Sequence, residues 1–67
     1  MSVAKVSEIS ATSSKSFEDA VQQGLNRASK TLRKIRGAWI KEQHVRCENS
    51  RITEYQVNMM VTFVLDD

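Results

Sequence analysis

Ile52-Thr53-Glu54-Tyr55-Gln56-Val57-Asn58-Met59-Met60-Val61-Thr62-Phe63-Val64-Leu65 is the stretch that decides how this 67-residue chain folds. Thr53, Tyr55, Val57, Met59, Val61, Phe63 and Leu65 fall on one side at a period of two, and Glu54, Gln56, Asn58, Met60 and Thr62 fall on the other. That alternation is the signature of a β-strand with one apolar face. Extended at about 3.3 Å per residue, the stretch reaches roughly 46 Å. A compact chain of this length has a radius of gyration near 11 Å, hence a diameter of about 28 Å. The strand is too long for its own domain, so it either bends sharply or gives its polar face and far end to neighbouring subunits.

The chain length allows a single domain spanning residues 1–67. A domain this small buries only about 60% of its unfolded surface, which favours oligomerisation. Cys47 is the only cysteine, so an internal disulfide and a multi-cysteine metal site are excluded, and a free thiol at a strand end fits a reducing compartment. No apolar run has signal-peptide or membrane-span character. The expectation is a soluble cytoplasmic protein with no membrane partner. The net charge is +2, yet Lys30, Arg33, Lys34 and Arg36 crowd into seven positions.

Upstream of the long strand, Val3 to Ser10 reads as a first strand. A polar connection, Ala11 to Ser16, follows it, with Ser16 and Asp19 at capping-box spacing and Ser13 as an alternative start. From Phe17 the period changes to 3.6, and Phe17, Ala20, Val21, Gly24, Leu25, Ala28, Leu32 and Ile35 form one stripe of an amphipathic helix about nineteen residues long. Gly24 and Ala28 on that stripe suit close approach to a sheet. Glu18 and Asp19 at one end, with Lys30, Arg33 and Lys34 at the other, match the helix dipole, and Gly37 supplies a C-terminal stop. Ala38 to Cys47 reads as a second strand, with Ala38 and Ile40 on one face and Trp39, Lys41, Gln43 and Val45 on the other. Glu48-Asn49-Ser50-Arg51 turns the chain into the third. The plan is α+β in the order β-α-β-β, a three-stranded antiparallel sheet with the third strand between the others and the helix packed on one face. No second helix is left to cover the even-numbered face of the third strand.

Chemistry-bearing clusters are sparse. One His, one Cys and one Tyr, with no glycine-rich phosphate loop and no His or Cys pair at metal spacing, do not support an enzyme. Glu8, Glu42, Glu48 and Glu54 are scattered and could meet around a metal only through folding or across subunits. The basic cluster lacks interleaved aromatics and any groove-reading element, so nucleic-acid binding is not supported. Trp39 is more informative. With Ala38 and Ile40 placed under the helix, it faces away from the core and is free to meet a second subunit or stack on a planar ligand. Gln56 and Asn58 on the uncovered face offer paired amide donors and acceptors to such a ligand, or are simply solvated.

Three stretches together are similar to the dodecins: Val-Ala-Lys-Val-Ser-Glu-Ile-Ser-Ala-Thr-Ser at the start, Asn-Arg-Ala-Ser-Lys-Thr-Leu in the helix, and Tyr-Gln-Val-Asn-Met-Met-Val-Thr-Phe-Val-Leu at the end. The resemblance covers nearly the whole chain and rests on their order, spacing and total length. It implies a hollow homododecamer of β-α-β-β subunits that stores or sequesters a flavin (FMN, riboflavin or FAD) without enzymatic activity. In such proteins a Trp just after the helix stacks on the isoalloxazine, and a Gln on the last strand hydrogen-bonds its polar edge. Gln56, after Tyr55, matches the second element. Counted without gaps, the Trp position falls on Gly37, and Trp39 stands two residues later, on the same strand face but displaced by about 7 Å. A basic residue near the ligand's tail falls on His44, with Arg46 two further on. Two outcomes follow: a shell that holds a flavin or other planar molecule through Trp39 and Gln56, or a shell without flavin that acts as a scaffold or binds ions or another ligand. Binding of polyanions by the basic cluster stands outside both.

Overall fold

The computed structural model describes residues 3–65. Strand β1 (Ala4–Ser13) leads into helix α1 (Phe17–Ala28), followed by strands β2 (Ile35–Glu48) and β3 (Arg51–Val64). The sheet order is β1-β3-β2, and both outer strands run antiparallel to β3. The long third strand is therefore central, as its alternation predicts. Val57, Met59 and Val61 on its odd face are fully buried, and with Ala20 they form the core. Ile9, Ala11, Phe17, Val21 and Leu25 pack around them. The Phe17 ring meets Tyr55 edge-on at 5.1 Å between centroids, seating the first turn of α1 on β3.

The start of the helix is built by hydroxyls. Ser16 is the N-cap, and its Oγ accepts from the Asp19 N–H at 2.9 Å. Ser13, the buried polar residue at the end of β1, donates from Oγ to Asp19 Oδ2 at 2.6 Å and accepts from the Lys15 N–H at 2.9 Å. This arrangement ties the strand end to the helix start, and it lengthens β1 beyond the expected Ser10: Ala11, Thr12 and Ser13 pair with Val57, Gln56 and Tyr55.

The helix is shorter than its apolar stripe suggests. It ends at Ala28, capped by Ser29, whose N–H bonds Leu25 O at 2.9 Å and whose Oγ donates to Asn26 O. Hydrogen bonds from the N–H groups of Lys30, Thr31 and Leu32 close the turn, and Lys34 at φ 57° lies in the left-handed region as the chain reverses. Leu32 and Ile35 still pack on the core, one from the turn and one from β2, so the 3.6 periodicity continues where the helix does not. Consequently Arg27 is the basic residue of the last helical turn, while Lys30, Arg33 and Lys34 lie beyond it. Gly37 is not a helix stop. It lies inside β2 without positive φ, and β2 runs from Ile35 to Glu48 rather than from Ala38 to Cys47. At the other end Asn49 (φ 51°) and Ser50 (φ 63°) form a two-residue hairpin between the paired Glu48 and Arg51, the turn whose twist suits antiparallel strands.

Two further expectations change. Ala38 and Ile40 do share the helix-side face, pairing with Val61 and Met59, but both are exposed because α1 packs chiefly on β1 and β3. Strand alternation in β2 also breaks, since Lys41 is an extra residue between Ile40, opposite Met59, and Glu42, opposite Asn58. After that bulge Gln43 and Val45 face the helix side, and Glu42, His44 and Arg46 face away from it. The molecule measures 52 × 19 × 13 Å with a radius of gyration of 13.8 Å. It is elongated relative to the compact value of about 11 Å.

Gly24 is where helix and sheet come closest: a Cβ there would collide with the Met59 methyl group and lie 3.1 Å from Ala11 Cβ. Helix propensity alone would make Gly24→Ala stabilising by about 1 kcal/mol. We expect a net loss of about 1–2 kcal/mol instead, because overpacking outweighs propensity, and a urea midpoint will read the sign. Hydrogen bonds from Ser13 and then Gln23, with the charge of Lys15, hold the Asp19 carboxyl below its usual range against slight desolvation. A lowered folded-state value adds stability above the unfolded pKa that is lost as pH falls through the folded one. Urea midpoints at about pH 6 and about pH 3 should therefore converge in Asp19→Asn relative to the parent protein.

Candidate ligand-binding face

Directly opposed residues of an antiparallel pair share a face. The side of the sheet away from α1 can therefore be read as cross-strand rows. Near one end Val6, Thr62 and Gly37 stand side by side, then Glu8, Met60 and Trp39, then Ser10, Asn58 and Glu42, and then Thr12, Gln56 and His44. Arg46 and Glu54 form a further pair toward the hairpin. All five sequence-derived candidates, Gly37, Trp39, His44, Arg46 and Gln56, thus lie on one face. Simple alternation along β2 would have placed His44 and Arg46 opposite Trp39, and the bulge at Lys41 brings them together.

Local contacts organise this face. Gln56 Nε2 donates to Ser10 Oγ at 2.9 Å, and Asn58 Nδ2 donates to Glu42 Oε1 at 2.9 Å. The first bond orients the Gln56 amide and uses one of its N–H groups, its remaining capacity being a carbonyl oxygen and a second N–H. Lys41 Nζ lies 3.2 Å from Glu8 Oε2, an ion pair linking the two outer strands across β3. Arg46 Nε meets Glu54 Oε1 at 3.2 Å. Ser10, Glu8 and Glu42 were not legible as neighbours of Gln56 and Trp39, because a single sequence does not carry strand register. Trp39 is 53% exposed, a large apolar surface beside Met60 with nothing of its own chain over it.

Spacing along β3 limits what one chain can do. Trp39 lies opposite Met60 and His44 opposite Gln56, so the ring and the amide are about 13 Å apart along the strand, and the Gly37 row is about 20 Å from Gln56. A single planar molecule stacked on Trp39 does not reach Gln56 of the same chain. Among the described residues no group of three or more His, Cys, Asp and Glu is arranged to hold a metal ion. No helix there is long and apolar enough to cross a membrane.

A three-stranded sheet with one helix on one side and an open polar and aromatic face on the other defines a small α+β protein. Comparison with known proteins specifies the class: the chain belongs to the dodecin family, whose family model matches residues 3–66. It is similar to a dodecin from Streptomyces davaonensis, at 32% identity and a TM-score of 0.92 over 98% of this chain and 97% of that one. A Thermus thermophilus dodecin variant with an arginine replaced by alanine superposes at 0.94 with 36% identity over 100% of both chains. A calcium-chelating immunodominant antigen from Mycobacterium tuberculosis, called calcium dodecin and described with a novel calcium-binding site, gives 0.82 and 30% identity over 96% of this chain and 91% of that one. Among curated proteins none matches.

The ion pair across β3 is solvent-exposed, with the two side chains 52% and 47% accessible. Glu8→Gln should therefore change stability by less than about 0.5 kcal/mol, measured as a urea midpoint, with the fold unaltered by circular dichroism.

Proposed function

We propose that this protein is a non-enzymatic, small-ligand-binding member of its family that assembles as a homododecamer and stores or sequesters a flavin or another planar molecule where subunits meet. The observation that carries this reading is the uncovered sheet face, on which Trp39, His44, Arg46 and Gln56 are gathered with no part of their own chain over them. Because Trp39 and Gln56 of one chain stand too far apart for one ring system, the pocket draws its stacking platform and its amide from different subunits. Trp39 provides the aromatic plane. The remaining carbonyl and N–H of Gln56 suit the alternating donors and acceptors on the pyrimidine edge of an isoalloxazine. His44 and Arg46 place basic character beside the Gln56 row, where a phosphate or ribityl tail would lie. The exposed free thiol of Cys47 agrees with a reducing, cytoplasmic setting.

The alternative is a shell of the same subunits that has lost flavin binding and serves as a scaffold or binds ions or another ligand. Gly37 favours it. It stands where the resemblance places the stacking Trp, it offers no platform, and a Cβ added to it would meet no atom within 4 Å. The calcium-chelating relative shows that a similar chain is described with a different ligand.

Because Trp39 is the only Trp, its emission and that of the flavin both report binding. Riboflavin or FMN titrated into protein of measured solution mass should be quenched stoichiometrically. We expect Trp39→Ala to weaken binding by about tenfold, the effect of losing one stacked ring at about 1.4 kcal/mol, and Gly37→Trp to strengthen it. Unchanged quenching in Trp39→Ala overturns its role, and an assembled protein that quenches no flavin selects the alternative. A monomer overturns both readings.

A further inference from the structure

Helix α1 stops at Ala28, which leaves a group of cations without the explanation its dipole would supply. The field of a helix terminus fades within the last turn, so it accounts for Arg27 and not for Lys30, Arg33 or Lys34. The turn that carries them is pinned from beneath. Leu32 and Ile35 pack on the core, and the Lys34 carbonyl accepts from the Val64 N–H at 3.2 Å. Lys30, Arg33 and Lys34 are exposed along this turn, and Arg36 follows as an extra residue of β2 between Ile35, opposite Phe63, and Gly37, opposite Thr62. Lys5 stands in the same row as Phe63 and Ile35. Arg27 comes alongside, since Ser7 of β1 lines one cleft with Arg27, Ala28, Thr31 and Leu32.

Six of the ten basic residues thus occupy one end of the molecule. The described carboxylates lie elsewhere. Glu18 and Asp19 are at the far end of α1, Glu42, Glu48 and Glu54 lie further along the sheet toward the hairpin, and Glu8 is on the open face, where it holds Lys41. Among the described residues Lys5, Arg27, Lys30, Arg33 and Arg36 take part in no ion pair. Asp66 and Asp67 follow in the sequence outside those residues, and even counted in full they leave this end an excess of four positive side chains. Crowding like charges in this way opposes the compact state, a cost that a bound anion offsets.

We propose that this end of the protein binds inorganic polyphosphate, an unbranched chain of phosphates joined by anhydride bonds. The cations stand on an exposed turn and an adjoining strand end, an arrangement that suits a flexible chain of anions laid across all of them. Arg27, Arg33 and Arg36 present forks that pair with two phosphate oxygens at once, and Lys30 adds a point charge. Residues 27–36 contain no aromatic side chain, so nothing there stacks on nucleic-acid bases. The apolar members of the turn, Leu32 and Ile35, are turned to the core and give no anchor in a lipid surface. What remains is recognition of the phosphate chain by its charge. This site is separate from the sheet face around Trp39 and Gln56 and does not depend on what that face binds.

Long-chain inorganic polyphosphate titrated calorimetrically into the full-length protein should bind, with log K falling linearly against log salt concentration. Lys30→Gln/Arg33→Gln should weaken binding by about tenfold and make that slope shallower by about 1.5. Lys15→Gln/Arg51→Gln removes the same charge from exposed positions at the other end of the molecule, and should leave the affinity within about twofold and the slope unchanged. Polyphosphate should also raise the urea midpoint of the parent protein more than that of the Lys30/Arg33 variant. Absence of binding overturns the proposal, and so do equal losses in the two variants, which assign the effect to net charge. Val3 and Leu65, exposed at the strand tips, make a lipid surface the strongest rival. Binding confined to phosphatidylglycerol vesicles selects that rival, tighter binding of oligo(dT) per phosphate selects a nucleic acid, and either result overturns the assignment to polyphosphate.

Discussion

Helix α1 has twelve residues and is about 18 Å long, while β2 and β3 each run to fourteen residues, and the other features of this molecule follow from that mismatch. One short helix can bury only a patch of one sheet face. The fully buried residues accordingly cluster at Val57, Met59 and Val61 on the central strand, with Ala20 above them. Close approach is what makes so small a core effective. Gly24 allows the helix backbone to settle onto Met59 and Ala11, so a chain of limited size gains dense packing where it has any packing at all. The remainder of the sheet, including Trp39 and Ile52 at 53% and 51% exposure, is surface that a solitary subunit leaves in water.

The bulge at Lys41 determines what that surface offers. A β-strand repeats every two residues, so one extra residue exchanges the faces of everything beyond it. Without the insertion Trp39 would share its face with Gln43 and Val45. With it, Trp39 shares its face with Glu42, His44 and Arg46, next to Gln56 and Asn58 on β3. Val45 is thereby moved to the helix side together with Gln43, and the charged or ionisable Glu42, His44 and Arg46 to the open side. Lys41 itself reaches back to Glu8 across β3.

Much of the architecture was legible in the residues. The alternation of β3 marked it as the central strand, the switch to a 3.6 period at Phe17 marked the helix start, and Ser16 and Asp19 marked its cap. The helix end was misleading for a physical reason. Leu32 and Ile35 are partly buried by tertiary contact with the core, and such contact imposes the same apolar spacing whether the backbone beneath is helix, turn or strand. Ser29 and the turn through Lys30, Thr31 and Leu32 end the helix by local hydrogen bonding that hydrophobic periodicity does not register.

By itself the sequence determined the element order, the strand that lies at the centre, the residues that form the core and the family to which the chain belongs, because these depend on pattern, and pattern is carried by residue type and spacing. Only the tertiary structure decided which residues stand beside one another. Register, the bulge at Lys41 and the reach of α1 are set by pairing between segments distant in the chain, where a shift of one residue reverses a face. For that reason Gln56 could be singled out from the sequence, whereas its Ser10 and His44 neighbours, and the bare flank of β2, appear only when the three strands are laid side by side.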